Sequence, residues 1–190
     1  MYAKGDLRQK KPILGKIGFD SFKDSAYFCV QNTDSQQDME SLFRAWKTSR
    51  MAYLKFFENY SLEQLNRIPE GFSNNLIWNI GHIIATQHKL IYIGSGVAGH
   101  IPEEVFMHYQ SGTRPTAAVS QQEADLLKRL LLEQIEPTIR DFNDKKFGSY
   151  QERTTGTGFH LTSIYDAFEW NNFHEGLHLG YMMSIRKFVV

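Results

Sequence analysis

The amino-acid sequence predicts an all-α fold, a four-helix bundle with long crossover connections. Four stretches of about twenty residues or more carry apolar side chains at mixed spacings of three and four, as amphipathic or buried helices require. After residue 60, no strand pattern competes seriously with these helices. Two of the connections between them are long and rich in glycine, proline or polar residues, which is typical of bundles with crossovers rather than tight turns.

The beginning of the chain differs from the rest. Glycine and proline interrupt it repeatedly, and its lysines follow no helical period. We expect a poorly ordered N-terminal extension over residues 1–35 and one bundle domain over residues 36–190. Met39 stands almost where the first convincing helix begins. Part of the extension is therefore expected to lie outside the functional domain, or even upstream of the natural start.

The first two long helices are predicted over residues 36–60 and 74–93. Apolar residues recur along one face of the first: Leu42, Phe43, Trp46, Met51, Tyr53, Leu54 and Phe57. Ser61 and Gln64 follow with the spacing of a capping box, which predicts a short helical turn. The second helix contains LIWNIGHIIA, which is apolar almost all round and typical of a central, buried helix. A buried strand fits less well, because no turn signal interrupts the segment.

A long crossover over residues 94–118 leads to the third long helix. Within it, Pro102 and the acidic residues that follow predict a short helix ending near Gln110. The third helix is predicted to begin at Ser120, with Glu123 completing a capping box, and to continue to about residue 142.

Proline and glycine also mark the final third of the chain. Pro137 predicts a kink or a break near the end of the third helix. Residues 143–161 are polar and glycine-rich, and we expect a flexible loop there. Thr162 is expected to cap the last helix, which is predicted over residues 163–188.

Composition restricts the function classes. Hydrophobic residues make up 42% of the chain, enough for a packed core. Basic and acidic residues both number 21, so the zero net charge gives no reason to expect a nucleic-acid or membrane partner. The single cysteine, Cys29, excludes an internal disulfide and fits a reducing compartment. With no signal peptide or membrane-spanning run, we expect a soluble, cytoplasmic protein.

The sharpest chemical signal is HEGLH at residues 174–178. In a helix, positions i and i+4 lie on one face, roughly 5–6 Å apart. Imidazoles at His174 and His178 can therefore reach one ion at about 2.0–2.1 Å each. Two histidines that only form hydrogen bonds on a helix face are the alternative, which for an isolated pair has the greater weight.

The same segment matches the zinc-protease pattern H-E-x-x-H, with Glu175 as the general base. Such proteases take a third ligand that normally lies downstream. Only the last twelve residues follow His178, and none of them is His, Asp, Glu or Cys. A protease is therefore the weaker interpretation, and Glu175 is expected on the helix surface or beside a ligand.

The third ligand must then lie upstream, and His82 is the best candidate. It stands in the most apolar helix, where an unpaired imidazole is costly to bury, although a lone core histidine more often bonds to a backbone carbonyl. We predict one divalent ion between His82, His174 and His178, because facing helices build metal sites in bundle cores. Other histidines have weaker claims: His88 points elsewhere on its helix, His160 could swing in from its loop, and His100 and His108 are expected in solvent.

Two segments, NNLIWNIGHIIATQHKL and NNFHEGLHLGYMMSIRKF, resemble the DinB/YfiT-like superfamily of metal-dependent proteins. The resemblance covers about residues 39–190. It implies a four-helix bundle with one histidine on the second helix, here His82, and a pair on the fourth, here His174 and His178. Trp78 and Gly180 fit the family pattern as well. Characterised members include transferases and isomerases that use bacillithiol, mycothiol or glutathione, so the resemblance also implies a thiol cofactor.

Three imidazoles leave a tetrahedral ion one open position, as in catalytic zinc sites. Ligation by histidines alone leaves zinc, nickel, iron and copper open. We expect zinc or nickel, with iron as an alternative, and the most favoured function is a thiol S-transferase acting on small electrophiles. A hydrolase that activates a metal-bound water is the next hypothesis. The alternative from another class is a non-catalytic, metal-binding stress-response bundle.

Residues one turn from the histidine pair are candidates for catalysis. Asn171 and Tyr181 are expected to face the ion and orient a ligand or an imidazole, with weaker claims for Asn75 and Asn79. Arg114 could hold a carboxylate, or be an exposed loop charge. A small molecule or a thiol is the expected partner, and the aromatic-rich first helix would permit a homodimer.

Overall fold

The computed structural model describes residues 35–189, and their fold is helical. The helices are α1 Ser35–Asn59, α2 Leu62–Asn66, α3 Leu76–Gln87, α4 Glu103–Tyr109, α5 Gln121–Glu133, α6 Ile135–Asn143 and α7 Ile164–Ile185. A π-helical turn, His88–Ile93, extends α3, and a 3-10 turn, Arg186–Phe188, extends α7. The predicted extension lies outside the described residues, apart from the first residue of α1.

Four long elements form the bundle: α1, α3 with its π-helical turn, α5 with α6, and α7. Both α1 and α3 pack against α7 on one side and against α5 on the other. Asn172 contacts Leu42 and Glu175 contacts Tyr53, so α1 and α7 run parallel. The remaining two elements run antiparallel to them. Because α3 and α5 point the same way, the segment between them must cross the length of the bundle. The predicted all-α bundle with long crossovers is confirmed.

The most apolar helix is central, as its sequence predicts. Every residue of α3 except Thr86 is buried. Its fully buried aliphatic residues form the middle of the core: Leu76, Ile77, Ile80, Ile83 and Ile84. On α1 the predicted face is partly wrong, because Met51 is 53% exposed. Because α3 is buried on nearly all sides, its few polar side chains, His82 among them, lie inside the bundle.

Side-chain caps define the helix starts. The capping box of Ser61 and Gln64 at α2 is confirmed. Ser120 caps α5, but the Glu123 carboxylate accepts a hydrogen bond from the Tyr109 hydroxyl instead of completing a box. The cap of α7 is Ser163 and not Thr162.

Two predictions for the later part of the chain have different outcomes. The break before Pro137 is confirmed: α5 ends at Glu133, whose carbonyl could receive no hydrogen bond from the proline and would clash with its ring. The loop predicted over residues 143–161 is wrong in part, because Arg153–Thr154 pairs with His160–Leu161 as a short antiparallel hairpin. Within the described residues, no helix combines the length and the hydrophobicity needed to cross a membrane.

Candidate metal centre

The three predicted histidines converge in the bundle. The ring of His82 lies 4.8 Å from that of His178 and 5.3 Å from that of His174, and the paired rings on α7 are 4.5 Å apart, centre to centre. One ring nitrogen from each lies within 4.8 Å of the other two. Tetrahedral binding at 2.0–2.1 Å would place these nitrogens about 3.3 Å apart. The nitrogens would therefore have to move closer together, by up to about 1.5 Å, to bind one ion.

His82 is oriented by the backbone of α4. Its Nδ1 lies 2.7 Å from the carbonyl oxygen of Tyr109, which can only accept, so Nδ1 carries the proton and donates. The Nε2 lone pair is left for another partner, and the Thr86 hydroxyl lies 3.3 Å from it. The Trp78 indole stacks on the imidazole at 4.8 Å, which fixes the ring plane. Gly81 permits this arrangement, because a Cβ atom there would overlap the Tyr109 ring.

His178 is oriented by Asn79 on α3. The Asn79 amide nitrogen donates to the Asn75 carbonyl and to Asn74 Oδ1, which turns the amide oxygen toward α7. That oxygen lies 2.8 Å from His178 Nδ1, so Nδ1 again donates. The Nε2 lone pair of His178 is therefore free. Sequence analysis gave Asn79 only a weak claim, and the structure makes it the tautomer-fixing partner of a candidate ligand.

His174 lacks the partner that the other two have. Its Nδ1 is buried, and neither ring nitrogen forms a hydrogen bond within residues 35–189. An unsatisfied buried polar atom costs about 1–3 kcal/mol. A cation bound between the three rings would give this imidazole a partner. The unsatisfied His174 ring is therefore the observation that these three residues fit a metal ion.

All three imidazoles are neutral at pH 7. Burial, followed by the proximity of His178 and His82, lowers the pKa of His174 to about 3. Burial and the proximity of His82 lower the pKa of His178 to about 4. Burial also lowers the pKa of His82, and the hydrogen bond to Tyr109 opposes it only in part. Neutral imidazole is the form that binds metals.

The prediction that Glu175 lies on the helix surface or beside a ligand is wrong. Its side chain is fully buried and forms an ion pair with Arg50 of α1 at 2.7 Å. Trp46, Ser49 and Asn171 donate to the same carboxylate. This buried ion pair holds α7 against α1 between the two histidines of the HEGLH segment.

A signal for this pair was present in the sequence. Arg50 follows Trp46 by four residues and precedes Tyr53 by three, so it lies on the apolar face of α1. A charge in that position needs a buried partner of opposite sign. The chain has 21 acidic residues, and only the structure shows that the partner is Glu175.

The two catalytic candidates occupy different places. Asn171 is buried, and its amide nitrogen donates to Glu175 at 3.0 Å rather than to a histidine, so the expected orientation is not found. Tyr181 is partly exposed, with its ring 5.7 Å from that of Phe72. It lies on α7 one turn beyond His178. Its role stays a prediction.

The remaining histidines lie outside the centre. His160 bonds to Thr154 in the exposed hairpin, and His88 stacks against Tyr92. His100 bonds to Asp141, and His108 is exposed.

The centre is accessible from one side of α7. His174 and His178 are half-buried, whereas His82 beneath them is buried. The neighbouring α7 residues Phe173 and Leu177 are each about half exposed, at 53% and 50%. Part of each α7 histidine is therefore exposed to solvent, next to apolar side chains on the surface of the same helix.

Comparison with known proteins identifies the family of the chain. No curated protein matches the chain. The sequence model of the DinB superfamily matches residues 45–182, a range that contains all three histidines and most of the bundle. The chain belongs to the DinB superfamily.

Proposed function

We propose that His82, His174 and His178 hold one divalent ion, zinc or nickel with iron as an alternative, and that the protein is an enzyme transferring a thiol to a small electrophile. The observation that carries the proposal is a set of three neutral imidazoles, one buried and two half-buried. In two of them a hydrogen bond at Nδ1 makes Nε2 the nitrogen with the lone pair. Three such donors leave a tetrahedral ion with one open position.

An ion in this site would supply Lewis acidity, lowering the pKa of a thiol or a water molecule. In the net transfer, the S–H bond of the thiol and the bond between carbon and the leaving group break. A carbon–sulfur bond forms, the leaving group departs with its electron pair, and the proton passes to solvent. A small-molecule electrophile and a low-molecular-weight thiol are thus the proposed partners.

The surroundings of the centre support thiol transfer over hydrolysis. In H-E-x-x-H hydrolases the glutamate removes a proton from water. Here Glu175 is buried, paired with Arg50 and bonded to three further donors, so it cannot take that role. A thiol needs less assistance, because its pKa of about 8.5 is already close to neutrality.

The chain's own residues keep the site in shape. The Tyr109 carbonyl and Asn79 orient two imidazoles, and the Glu175–Arg50 pair sets the rotation of α7 about its axis. We propose Tyr181, partly exposed and one turn beyond His178 on α7, as a group that positions the electrophile or its leaving group.

The test is a conjugation assay on full-length protein reconstituted separately with zinc, nickel and iron. Bacillithiol, mycothiol and glutathione are each offered with monochlorobimane and 1-chloro-2,4-dinitrobenzene. We expect conjugation above the uncatalysed rate with at least one metal and thiol, abolished in His174→Ala and retained in the control His160→Ala. Metal binding without conjugation for any combination would contradict the transferase proposal and favour a non-catalytic, metal-binding bundle.

A further inference from the structure

A cavity of about 300 Å³ lies beside the histidine centre. Trp78 and Tyr109 line it, and these two residues also contact His82, by ring stacking and through the backbone carbonyl. The opposite wall is the crossover segment over residues 113–119. The cavity and the centre therefore share a wall, and a ligand in the cavity would lie one aromatic ring away from His82.

Two residues that line this cavity have donor groups without a protein acceptor. The Trp78 side chain is 8% exposed, and its indole Nε1–H is buried without an acceptor among the described residues. Arg114 lines the same cavity, is exposed to solvent, and forms no ion pair or hydrogen bond within residues 35–189. A buried N–H without an acceptor is costly, and a guanidinium matches a carboxylate with two parallel hydrogen bonds.

The other lining groups define the body of a ligand. Met107, Pro115 and Ala117 offer an apolar surface, and the volume suits a molecule of about the size of a substituted aromatic acid. Glu123 also lines the cavity, with its carboxylate bonded to the Tyr109 hydroxyl. Its negative charge would oppose any negative charge on a ligand that Arg114 does not neutralise, and therefore a second carboxylate.

We infer that this cavity binds a small monocarboxylate with an apolar body, its carboxylate held by Arg114 and the Trp78 N–H. The inference deepens the proposed function, on which the role of the ligand rests: the carboxylate belongs either to the thiol or to the electrophile. Binding itself needs no metal ion, since no histidine of the centre lines the cavity.

The test is calorimetric titration of full-length protein with benzoate, its neutral isostere benzamide, and the dianion phthalate. Because hydrogen bonds to charged groups contribute about 1.5–3 kcal/mol, we expect benzoate to bind at least about tenfold more tightly than benzamide. Phthalate should bind more weakly than benzoate. Equal binding of benzoate and benzamide, or tighter binding of phthalate, would overturn the inference.

Two variants locate the carboxylate. Arg114→Gln should remove most of the preference for benzoate, and Trp78→Phe, which keeps an aromatic ring against His82, should weaken benzoate binding about fivefold or more. Arg129→Gln is the matched control, because it removes an exposed positive charge outside this cavity. Benzoate binding unaffected by Arg114→Gln, or weakened equally by Arg129→Gln, would count against the site.

Repeating the titration with His174→Ala separates this inference from the proposed function. We expect benzoate binding to persist in His174→Ala although conjugation is lost. Loss of benzoate binding would contradict a metal-independent pocket.

Two pairs of conjugation substrates show whether the thiol or the electrophile carries the carboxylate. The thiols are 3-mercaptopropionate and 2-mercaptoethanol, and the electrophiles are 4-(chloromethyl)benzoate and 4-(chloromethyl)benzamide. The pair whose rate ratio collapses in Arg114→Gln carries the carboxylate, and an unchanged ratio in both pairs would overturn the link to catalysis.

Discussion

Replacing Arg50 with methionine should destabilise the protein severely. Arg50 donates through Nε and Nη2 to the Glu175 carboxylate. Its Nη2 also donates to the Gln87 side chain, and its Nη1 donates to the Leu131 carbonyl. All of these contacts are buried, and both side chains of the ion pair are 0% exposed. Methionine fills most of the space but leaves Glu175 as an uncompensated buried charge.

The cost of breaking a buried ion pair in this way is about 3–5 kcal/mol. For a domain of this size, that corresponds to a fall in Tm of roughly 6–20 °C. Chemical denaturation followed by circular dichroism measures it. The matched control is Lys47→Met, one turn earlier on α1: Lys47 pairs with Glu136 at 2.6 Å, but both side chains are about half exposed, 45% and 65%. Its loss should cost at most about 1 kcal/mol.

A double variant tests the mechanism of this loss. Arg50→Met combined with Glu175→Gln removes the stranded charge, while a glutamine oxygen can still accept from Trp46 and Asn171. The double variant should be more stable than Arg50→Met alone by about 1–3 kcal/mol. If Arg50→Met costs no more than Lys47→Met, or if the two changes at the ion pair simply add, the buried charge is not what holds α7 in place.

Three further changes test other parts of the account. Asn79→Ala removes the acceptor for His178 Nδ1 and should weaken zinc binding about 10–100-fold, measured by competition titration with a chromophoric chelator. Asn79→Asp keeps an acceptor oxygen and should bind zinc about as tightly as wild type. If Asn79→Ala also bound zinc as tightly as wild type, the amide would have no role in orienting His178. Burial alone would raise the pKa of Asp141, but donation from Lys146, His100 and Tyr92 outweighs it and lowers the pKa to about 2. Because the pKa in the folded state lies below the unfolded value of about 3.9, the ionised carboxylate stabilises the fold above about pH 3.9. The stability advantage of wild type over Asp141→Asn should therefore disappear as the pH falls from about 4 to about 2. A difference in unfolding free energy that stays constant over this range would contradict the assignment. Gly81→Ala should destabilise the fold by about 1–3 kcal/mol, because the added methyl group would displace the Tyr109 ring. This loss should exceed the gain from alanine's better helix propensity. A variant that is more stable than wild type in urea denaturation would contradict that packing.

The histidine centre could be predicted from the sequence because its information is local. The spacing of His174 and His178 places them on one helix face, and the apolar surroundings of His82 place it inside the bundle. The helix directions then bring the three together. The partners that orient the rings were harder to predict, because the Tyr109 carbonyl belongs to the backbone and its position depends on how α4 packs.

Long-range pairing explains what the sequence did not reveal. Glu175 appears solvent-facing in a helical pattern unless its partner on α1 is known, 125 residues earlier. The hairpin at Arg153–Thr154 and His160–Leu161 has only two residues in each strand, too few to show an alternating pattern. Asn171 was expected to face the ion because of its spacing from His174, but the buried carboxylate of Glu175 competes for its amide.

The central claim is that one metal ion binds between three histidines, and elemental analysis tests it directly. Full-length protein saturated with zinc and then freed of excess metal should retain about one equivalent per chain, as should the control His160→Ala. His82→Ala, His174→Ala and His178→Ala should each lose nearly all of it, with helical content preserved by circular dichroism. Retention of a full equivalent in the three variants, or no metal in the wild type, would contradict the account.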